Sequence, residues 1–286
     1  MSLRAVLAAP APALALPLAL AFAGCGYTGK SIDAHAHFES GPAAGRIQPN
    51  VSGRPDVLLG DMDRAGVDRA VLLVVPPSPD LAAVRELHDR VAALLKAHPG
   101  RFLAVGAAQP SDGESGLREL ERIAALGYRG VKLSPSKLEL DTPEVLAFVA
   151  RATSLRLVVY IEGWWPGAAH QTGKLALAFP QGRFVLTHMG GIRFDDVLVF
   201  RLLELYPFYP RNVWFDLSAV APLYVDSPYA AQLRFVCRSV GTDRVLFGSD
   251  FPLTGLDAAL RAVRRLGFTR QEEQAILHDN AEALFR

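Results

Sequence analysis

Short apolar runs rich in β-branched residues alternate along the chain with longer segments whose apolar residues recur every three or four positions. The short runs predict strands and the longer segments predict helices. The predicted strands are Ser31–Phe38, Arg69–Val75, Phe102–Ala108, Gly130–Ser134, Arg156–Glu162, Arg183–His188, Val213–Ser218 and Arg244–Asp250. The predicted helices are Leu81–Lys96, Leu117–Leu126, Pro143–Thr153, Lys174–Phe179, Asp196–Tyr206, Tyr229–Val240 and Leu256–Leu266. This alternation indicates an α/β fold built from parallel β-α units.

Eight such units in about 255 residues have the size of a (β/α)8 TIM barrel, so we expect one barrel domain over residues 31–286. The last segment, Arg270–Phe285, predicts an extra C-terminal helix packed outside the barrel. Gly127 and Gly267 follow helical runs, at the position where a left-handed residue ends a helix. No repeat and no change of composition divides the domain.

The amino-terminal residues differ from the rest of the chain. Arg4 precedes an apolar stretch without charge that ends in small residues before Cys25, which is typical of a secretory signal. We therefore expect a lipoprotein-type signal peptide over residues 1–24, a linker over residues 25–30 and a lipid anchor on Cys25, with export to the periplasm or the exterior. The alternative is a misassigned start codon, with translation beginning nearer Ile32 in a cytoplasmic protein.

The composition excludes several classes of protein. The 286 residues include 30 Lys+Arg and 29 Asp+Glu, and this near balance argues against a nucleic-acid binder. Two cysteines cannot build a disulfide scaffold, and a mean hydropathy of +0.19 argues against a largely disordered chain. A globular catalytic or binding domain for a small molecule is the remaining class.

The candidate chemistry lies at the carboxyl ends of the predicted strands. His35 and His37 are two residues apart on the first strand and therefore project from the same face, where two imidazoles can bind one divalent cation. His188 ends the sixth strand and Asp250 ends the eighth. Because a closed barrel makes the first and eighth strands neighbours, we expect Asp250 to lie beside His35 and His37.

Five ordered motifs over nearly all of residues 31–286 resemble the amidohydrolase-related family, in the branch that includes aminocarboxymuconate semialdehyde decarboxylase. They are Ile32-Asp33-Ala34-His35-Ala36-His37-Phe38, Gly130-Val131-Lys132-Leu133, Thr187-His188-Met189-Gly190-Gly191, Leu246-Phe247-Gly248-Ser249-Asp250-Phe251-Pro252 and Asn280-Ala281. The resemblance implies that His35, His37 and Asp250 bind metal. It also implies that His188 acts on the bound water or substrate.

Glu162 departs from the family pattern, which has a metal-binding histidine at the end of the fifth strand. A carboxylate can also ligate zinc, so we interpret Glu162 as a substituted ligand. The alternatives are a general base, a carboxylate that binds a cationic substrate, or a site without metal. With Glu162 the ligand set would neutralise a divalent cation. We therefore expect one divalent ion, zinc, with manganese as the alternative favoured by extra carboxylate.

Three further residues are candidates for substrate binding. Lys132 ends the fourth strand, where it could bind a substrate carboxylate, pair with Glu162 or, once carboxylated, bridge two metals. Trp164 and Trp165 lie in the Gly163–Gly173 loop and could form an apolar wall of the pocket. His170, in the same loop, is an alternative ligand.

These residues predict a hydrolase in which metal-activated water attacks an amide, ester or lactone carbonyl, with Asp250 or His188 accepting the proton. A metal-dependent nonoxidative decarboxylase using the same ligands is the first alternative. The second is a metal-free, non-catalytic barrel lipoprotein, motivated by Glu162 and by Ser134, where many relatives have histidine. The apolar Tyr206-Pro207-Phe208-Tyr209 segment could form a homodimer contact.

Overall fold

The computed structural model describes residues 27–37, 54–75, 80–133 and 139–286. The expected signal peptide, Cys25, Phe38, Ser134 and residues 39–53 lie outside the described residues. No described helix has the length and apolar character needed to cross a membrane.

Eight parallel strands form one sheet in sequence order, and each strand pairs with the next. They are β1 (Ser31–His37), β2 (Val67–Leu73), β3 (Phe102–Ala107), β4 (Gly130–Leu133), β5 (Val158–Ile161), β6 (Phe184–Leu186), β7 (Val213–Asp216) and β8 (Val245–Leu246). Helices connect successive strands, so the prediction of a (β/α)8 TIM barrel is confirmed. Most described strands end earlier than predicted. After β6, for example, the chain continues as a 3₁₀ helix over Thr187–Val197, which begins with left-handed residues at His188 and Met189.

The described helices are α1 (Pro55–Ala65), α2 (Leu81–Ala97), α3 (Glu114–Ala125), α4 (Pro143–Ser154), α5 (Ala168–Ala178), α6 (Leu198–Leu203), α7 (Val220–Tyr224), α8 (Ala230–Ser239), α9 (Leu256–Arg265), α10 (Arg270–Gln274) and α11 (Asn280–Leu284). Helices α1 and α7 were not predicted from the sequence. The predicted loop over Gly163–Gly173 was partly wrong, because α5 already begins at Ala168. The predicted left-handed residues Gly127 and Gly267 have φ of 87° and 78°.

The predicted C-terminal helix is present as α10 and α11, joined by a π-helical turn over Ala275–Asp279. Thr269 caps α10 in a reciprocal pair with Glu272. The turn lies under β8, where Phe247 N–H donates to the Ile276 carbonyl at 2.9 Å. This segment therefore closes the amino-terminal side of the barrel rather than packing on its outer helices alone.

The barrel is closed by backbone contacts between β1 and the segment that follows β8. Ala34 N–H donates to the Phe247 carbonyl at 2.8 Å, Asp250 N–H donates to the His35 carbonyl at 2.7 Å, and His37 N–H donates to the Phe251 carbonyl at 2.7 Å. Gly248 allows this approach, because a Cβ there would lie 2.9 Å from the His35 Cβ. Closure thus fixes Asp250 against the two histidines of β1.

Two apolar cores hold the fold together. The larger lies between the barrel and its helices, and the smaller fills the barrel interior. In the interior, the fully buried Tyr160 ring reaches across from β5, and its hydroxyl donates to the Ala34 carbonyl of β1 at 2.9 Å. Tyr160 therefore ties opposite sides of the barrel together.

The segment expected to form a dimer contact is only partly exposed. Tyr206 and Phe208 are exposed, whereas Tyr209 is buried beside Phe200. Just after α6, Tyr209 N–H donates to the Tyr206 carbonyl, and this turn keeps Tyr209 close to the helix. A homodimer through this segment stays a prediction.

We predict that Tyr160→Phe lowers the free energy of unfolding by about 1 kcal/mol, because it removes a buried hydrogen bond to Ala34 while leaving the packing volume nearly unchanged. Urea unfolding followed by circular dichroism measures this difference. Ser239→Ala, which removes an exposed hydroxyl that donates to the Phe235 carbonyl, is the control and should cost less. Equal stability of Tyr160→Phe and the wild type would contradict the interpretation.

Candidate metal centre

Three ligand atoms converge at the carboxyl end of β1. His35 Nε2 and His37 Nε2 lie 3.2 Å apart, and Asp250 Oδ1 lies 3.6 Å and 3.0 Å from them. Asp250 reaches this position with a left-handed backbone, φ 58°, directly after the close approach of Gly248. The structure therefore brings together the three residues for which the sequence predicted proximity.

The hydrogen bonds behind the rings direct their Nε2 atoms toward one another. His37 Nδ1 lies 3.1 Å from the Leu73 carbonyl, which only accepts, and His35 Nδ1 lies 3.0 Å from Asp216 Oδ2. Each ring therefore carries a proton on Nδ1. Two imidazole nitrogens and a carboxylate oxygen so close together need a positive charge between them. A proton on His35 or a divalent cation supplies it, and the donor set suits the cation.

The pKa values of these groups follow from burial and charge. Burial alone would raise the pKa of Asp250, but His37 and His35 outweigh it and hold that pKa well below its usual range. Burial lowers the pKa of His37. It would do the same for His35, but the Asp216 carboxylate raises the pKa of His35 above its ordinary value. Asp216 thus makes His35 the more basic ligand.

A second group of polar side chains lies behind the three converging ligand atoms. Asp216, the last residue of β7, and Ser218 connect its members. Asp216 lies with His35 and His188 in a buried cluster whose ligand atoms fall within 4.8 Å of one another. The Ser218 hydroxyl occupies its middle: it donates to Asp216 and lies 3.1 Å from His35 Nδ1 and 2.9 Å from His188 Nδ1. A hydrogen-bonded hydroxyl in this position makes the cluster a positioning network rather than a second ion site.

His188 is held by this network with its other nitrogen toward the barrel mouth. Its Nδ1 faces the Ser218 hydroxyl and, at 3.3 Å, the Ser218 carbonyl, so its proton lies on Nδ1 and Nε2 keeps a lone pair. Burial, followed by the charge of His35, lowers the pKa of His188. The backbone has φ of 53° at His188 and 51° at Met189, an unfavourable conformation of the kind found at functional sites. His188 is therefore held in one orientation, with Nε2 available on the side of Glu162.

Glu162 is directed at Lys132 rather than at the three converging atoms. Its Oε2 lies 2.9 Å from Lys132 Nζ, and its Oε1 lies 3.5 Å from His188 Nε2. Burial would raise the pKa of Glu162, but Lys132 and His188 lower it to about 2. Glu162 belongs to neither described group of ligand atoms, so its role as a ligand stays a prediction that depends on Oε1.

The connection from β5 to β6 makes this geometry possible. Gly163 N–H donates to Glu162 Oε1 and to the Thr187 hydroxyl, and a Cβ on Gly163 would lie 1.9 Å from the Thr187 carbonyl. Only glycine allows the two backbones to approach so closely.

The predicted substrate-binding tryptophans differ in position. Trp164 stacks on His188, with 4.8 Å between ring centroids, and remains 41% exposed. Trp165 is half-buried, and its carbonyl accepts from Ala168 N–H at the start of α5. Trp164 can therefore line the mouth beside His188. His170 is exposed on α5 and belongs to neither group of ligand atoms.

Four residues of the site had no predicted role from the sequence: Asp33, Asp216, Ser218 and Ser249. The Asp33 carboxylate accepts from Ser249 N–H at 2.9 Å, from the Ser249 hydroxyl and from His35 N–H at 3.0 Å, which fixes the turn before Asp250. Strand alternation was the available signal for Asp216 and Ser218, which are two residues apart. It gave no reliable signal for Asp33, because the pairing register of β1 shifts between Asp33 and Ala36.

The match of a family model decides the relationship of this barrel to known proteins. The model described as Amidohydrolase matches residues 32–286. The chain belongs to the amidohydrolase family. This confirms the resemblance found in the sequence, and the match covers the whole barrel with its C-terminal helices.

Several solved structures share this amidohydrolase fold at low sequence identity. The 5-carboxyvanillate decarboxylase from Sphingomonas paucimobilis has a TM-score of 0.68 and 19% identity, over 90% of this chain and 99% of that one. The 2,6-dihydroxybenzoate decarboxylase from Rhizobium has a TM-score of 0.69 and 20% identity, over 90% and 98%. The dihydroxybenzoic acid decarboxylase from Polaromonas sp. JS666, with bound manganese and 2-nitroresorcinol, has a TM-score of 0.69 and 18% identity, over 90% and 96%.

We predict that Asp216→Asn weakens metal binding by about 10- to 100-fold, because the variant loses the charge that makes His35 basic and holds its orientation. Titration with Mn²⁺ and Zn²⁺ against a competing chelator measures the affinity. Asp257→Asn, an identical change in an exposed ion pair on α9, is the control and should bind as the wild type does. Unchanged affinity in Asp216→Asn would exclude this role.

We predict that Glu162→Gln weakens Mn²⁺ binding at least about tenfold if Glu162 is a ligand, in addition to the effect of leaving Lys132 without its counter-charge. The double variant Lys132→Met/Glu162→Gln separates the two effects, because it removes both charges of the pair. A double variant that remains weak supports ligation by Glu162. Recovery of wild-type affinity would show that Glu162 acts only through its charge.

Proposed function

We propose that this protein is a metal-dependent nonoxidative decarboxylase of a small carboxylated, hydroxylated aromatic substrate. The observation that carries the proposal is the juxtaposition of the His35–His37–Asp250 group with Lys132 at one barrel mouth. The substrate chemistry named for the decarboxylases of the same fold supports it.

His35, His37 and Asp250 would hold one divalent cation. Two imidazoles and one carboxylate accept zinc or manganese, and the manganese in the Polaromonas structure supports the second. When bound, the cation supplies a Lewis acid for the oxygens of an anionic substrate.

The charges at the mouth favour an anion. His37, Glu162, Asp250 and Lys132 keep 21%, 18%, 10% and 7% of their side-chain surface exposed. The Asp216 carboxylate lies behind His35 and would be offset there, so at the mouth the cation and Lys132 would be the groups that an entering substrate meets beside Asp250 and Glu162. A substrate carboxylate would interact favourably with both the cation and Lys132, whereas a neutral amide or ester would gain less from these charges.

Lys132 would hold the substrate carboxylate by exchanging partners. Its Nζ is already bound to Glu162 in the free protein, so the site avoids an unpaired buried cation before the substrate arrives. A carboxylate that enters between them would take one hydrogen bond from Lys132 and leave Glu162 held by Thr187 and the Gly163 N–H.

His188 would transfer the proton that the ring carbon needs. Loss of CO2 leaves an electron pair on the ring carbon, which must gain one proton. His188 Nε2 can accept the proton that the substrate hydroxyl loses on binding and return it to this carbon. The product then leaves as a phenolate and takes one proton from solvent, which balances the loss of CO2 from the carboxylate. Trp164, stacked on the ring of His188, would keep it in place and provide an apolar wall for the aromatic ring.

Hydrolysis remains the second candidate, because a neutral His188 with a free Nε2 is also suited to accept a proton from water. In that case an amide, ester or lactone would replace the carboxylated substrate. The two reactions differ in their products and not in their ligands, so only a substrate panel separates them.

We predict that the Mn²⁺-loaded protein releases CO2 from members of a panel containing 2,6-dihydroxybenzoate and 5-carboxyvanillate, and that Asp250→Asn lowers kcat/KM at least about a hundredfold by weakening the ligand set. Liquid chromatography of the products and an enzyme-coupled CO2 assay measure both. Asp257→Asn is the control. Turnover of lactones or esters without CO2 release would favour hydrolysis. No bound or acquired metal would favour a non-catalytic role.

A further inference from the structure

Arginines recur at the amino-terminal face of the barrel, opposite the candidate metal centre. One stands one or two residues before each strand from β3 to β8. They are Arg101, Arg129, Arg156, Arg183, Arg211 and Arg244. Their shared position in successive β-α units makes them directly comparable with one another.

Three of these arginines are neutralised by carboxylates. Arg101 pairs with Asp63 at 2.8 Å. Arg211 pairs with Glu204 at 2.7 Å and with Asp243 at 3.1 Å, and Arg244 pairs with Asp243 at 2.9 Å. Half of the arginines at this position of the fold are therefore ion-paired.

The other three, before the consecutive strands β4, β5 and β6, have no carboxylate within 4.0 Å in the described part of the chain. Arg183 donates instead to the carbonyls of Leu284, at 2.6 Å, and of Arg156. Arg129 and Arg156 have exposed side chains without an acidic partner among the described residues. Arg156 also adopts φ 58°, an unfavourable conformation for a residue with a Cβ.

These three arginines line one cleft of about 630 Å³. Arg286 and Gln181 also line it, and no described side chain that lines it is acidic. Thr153 contributes a buried hydroxyl oxygen that has no hydrogen-bond partner within the described residues. Leu155, Leu157 and Phe285 add an apolar wall. A cleft of this size suits a small-molecule ligand.

Guanidinium groups that share a cleft without a counter-charge repel one another. Burial lowers the pKa of Arg183, and the charges of Arg129 and Arg156 lower it further. A multiply charged oxyanion would relieve this repulsion, and the planar N–H fork of arginine matches the oxygens of a phosphoryl group.

We propose that this cleft is a binding site for a phosphate-bearing anion, with Arg129, Arg156 and Arg183 as its ligands. The phosphoryl group can belong to a free small molecule or to a phospholipid headgroup. The site is separate from the candidate metal centre, and the proposal is independent of the reaction catalysed there.

Calorimetric titration of the full chain with inorganic pyrophosphate, at about 0.15 M ionic strength, tests the proposal. The variant Arg129→Gln/Arg156→Gln should bind at least tenfold more weakly than the wild type. The control Arg118→Gln/Arg261→Gln removes the same charge from exposed ion pairs on α3 and α9 and should change the affinity less than twofold. Binding of pyrophosphate at the metal centre would persist equally in both.

Cosedimentation with phosphatidylglycerol vesicles, compared with phosphatidylcholine vesicles, identifies the source of the phosphate. Saturable pyrophosphate binding lost in the cleft variant supports a free ligand. Vesicle binding alone, lost in the same variant, supports a lipid headgroup. Absence of both, or binding that the cleft variant leaves unchanged, overturns the proposal. Circular dichroism checks folding, and Arg129→Gln alone, expected to weaken binding about threefold, replaces the double variant if that variant unfolds.

Discussion

The candidate site depends on backbone hydrogen bonds that close the barrel between β1 and the residues after β8. These bonds join residues more than two hundred positions apart and leave little freedom at the junction, where Gly248 lies against the His35 Cβ. Because Asp250 N–H is bound to the His35 carbonyl, its carboxylate is placed by the same contact that completes the sheet. The same hydrogen bonds therefore close the barrel and set the distance between the ligand atoms. A change that opens the junction would separate the Asp250 carboxylate from both imidazoles.

The residues around the histidines set the basicity of His35 and the orientation of His188. Asp216 lies behind His35 and raises its basicity, whereas the Ser218 hydroxyl and carbonyl orient His188 toward the mouth. One aspartate on β7 thus affects both a candidate ligand and a candidate proton acceptor, through direct contact with His35 and through Ser218 with His188. These different hydrogen-bond partners explain how three imidazoles within one small volume can have different roles.

Much of the fold was accessible from the sequence, because strand alternation and helix periodicity are local signals. The order of eight β-α units, the barrel and the proximity of Asp250 to His35 and His37 followed from them. The roles of Asp216 and Ser218 did not, since strand alternation says which face a side chain occupies but not which partner it meets. Glu162 illustrates the same limit: its direction depends on Lys132 from a neighbouring strand, and either a metal ligand or an ion pair satisfies the sequence pattern. Helix α1 was missed because a short amphipathic segment beside a long polar stretch gives a weak signal.

The buried Tyr160 has a consequence for the relation between the two ends of the barrel. Its ring is part of the packed interior, so the two faces are chemically insulated and no ligand passes from one to the other through the middle. They are nevertheless mechanically joined. Strands β4, β5 and β6 begin beside Arg129, Arg156 and Arg183 and lead to Lys132, Glu162 and His188. Each strand has three or four residues, about 10 to 13 Å, with a cation before its start and a candidate site residue near its end. These three strands therefore form a direct covalent connection between the arginine-lined cleft and the candidate metal centre.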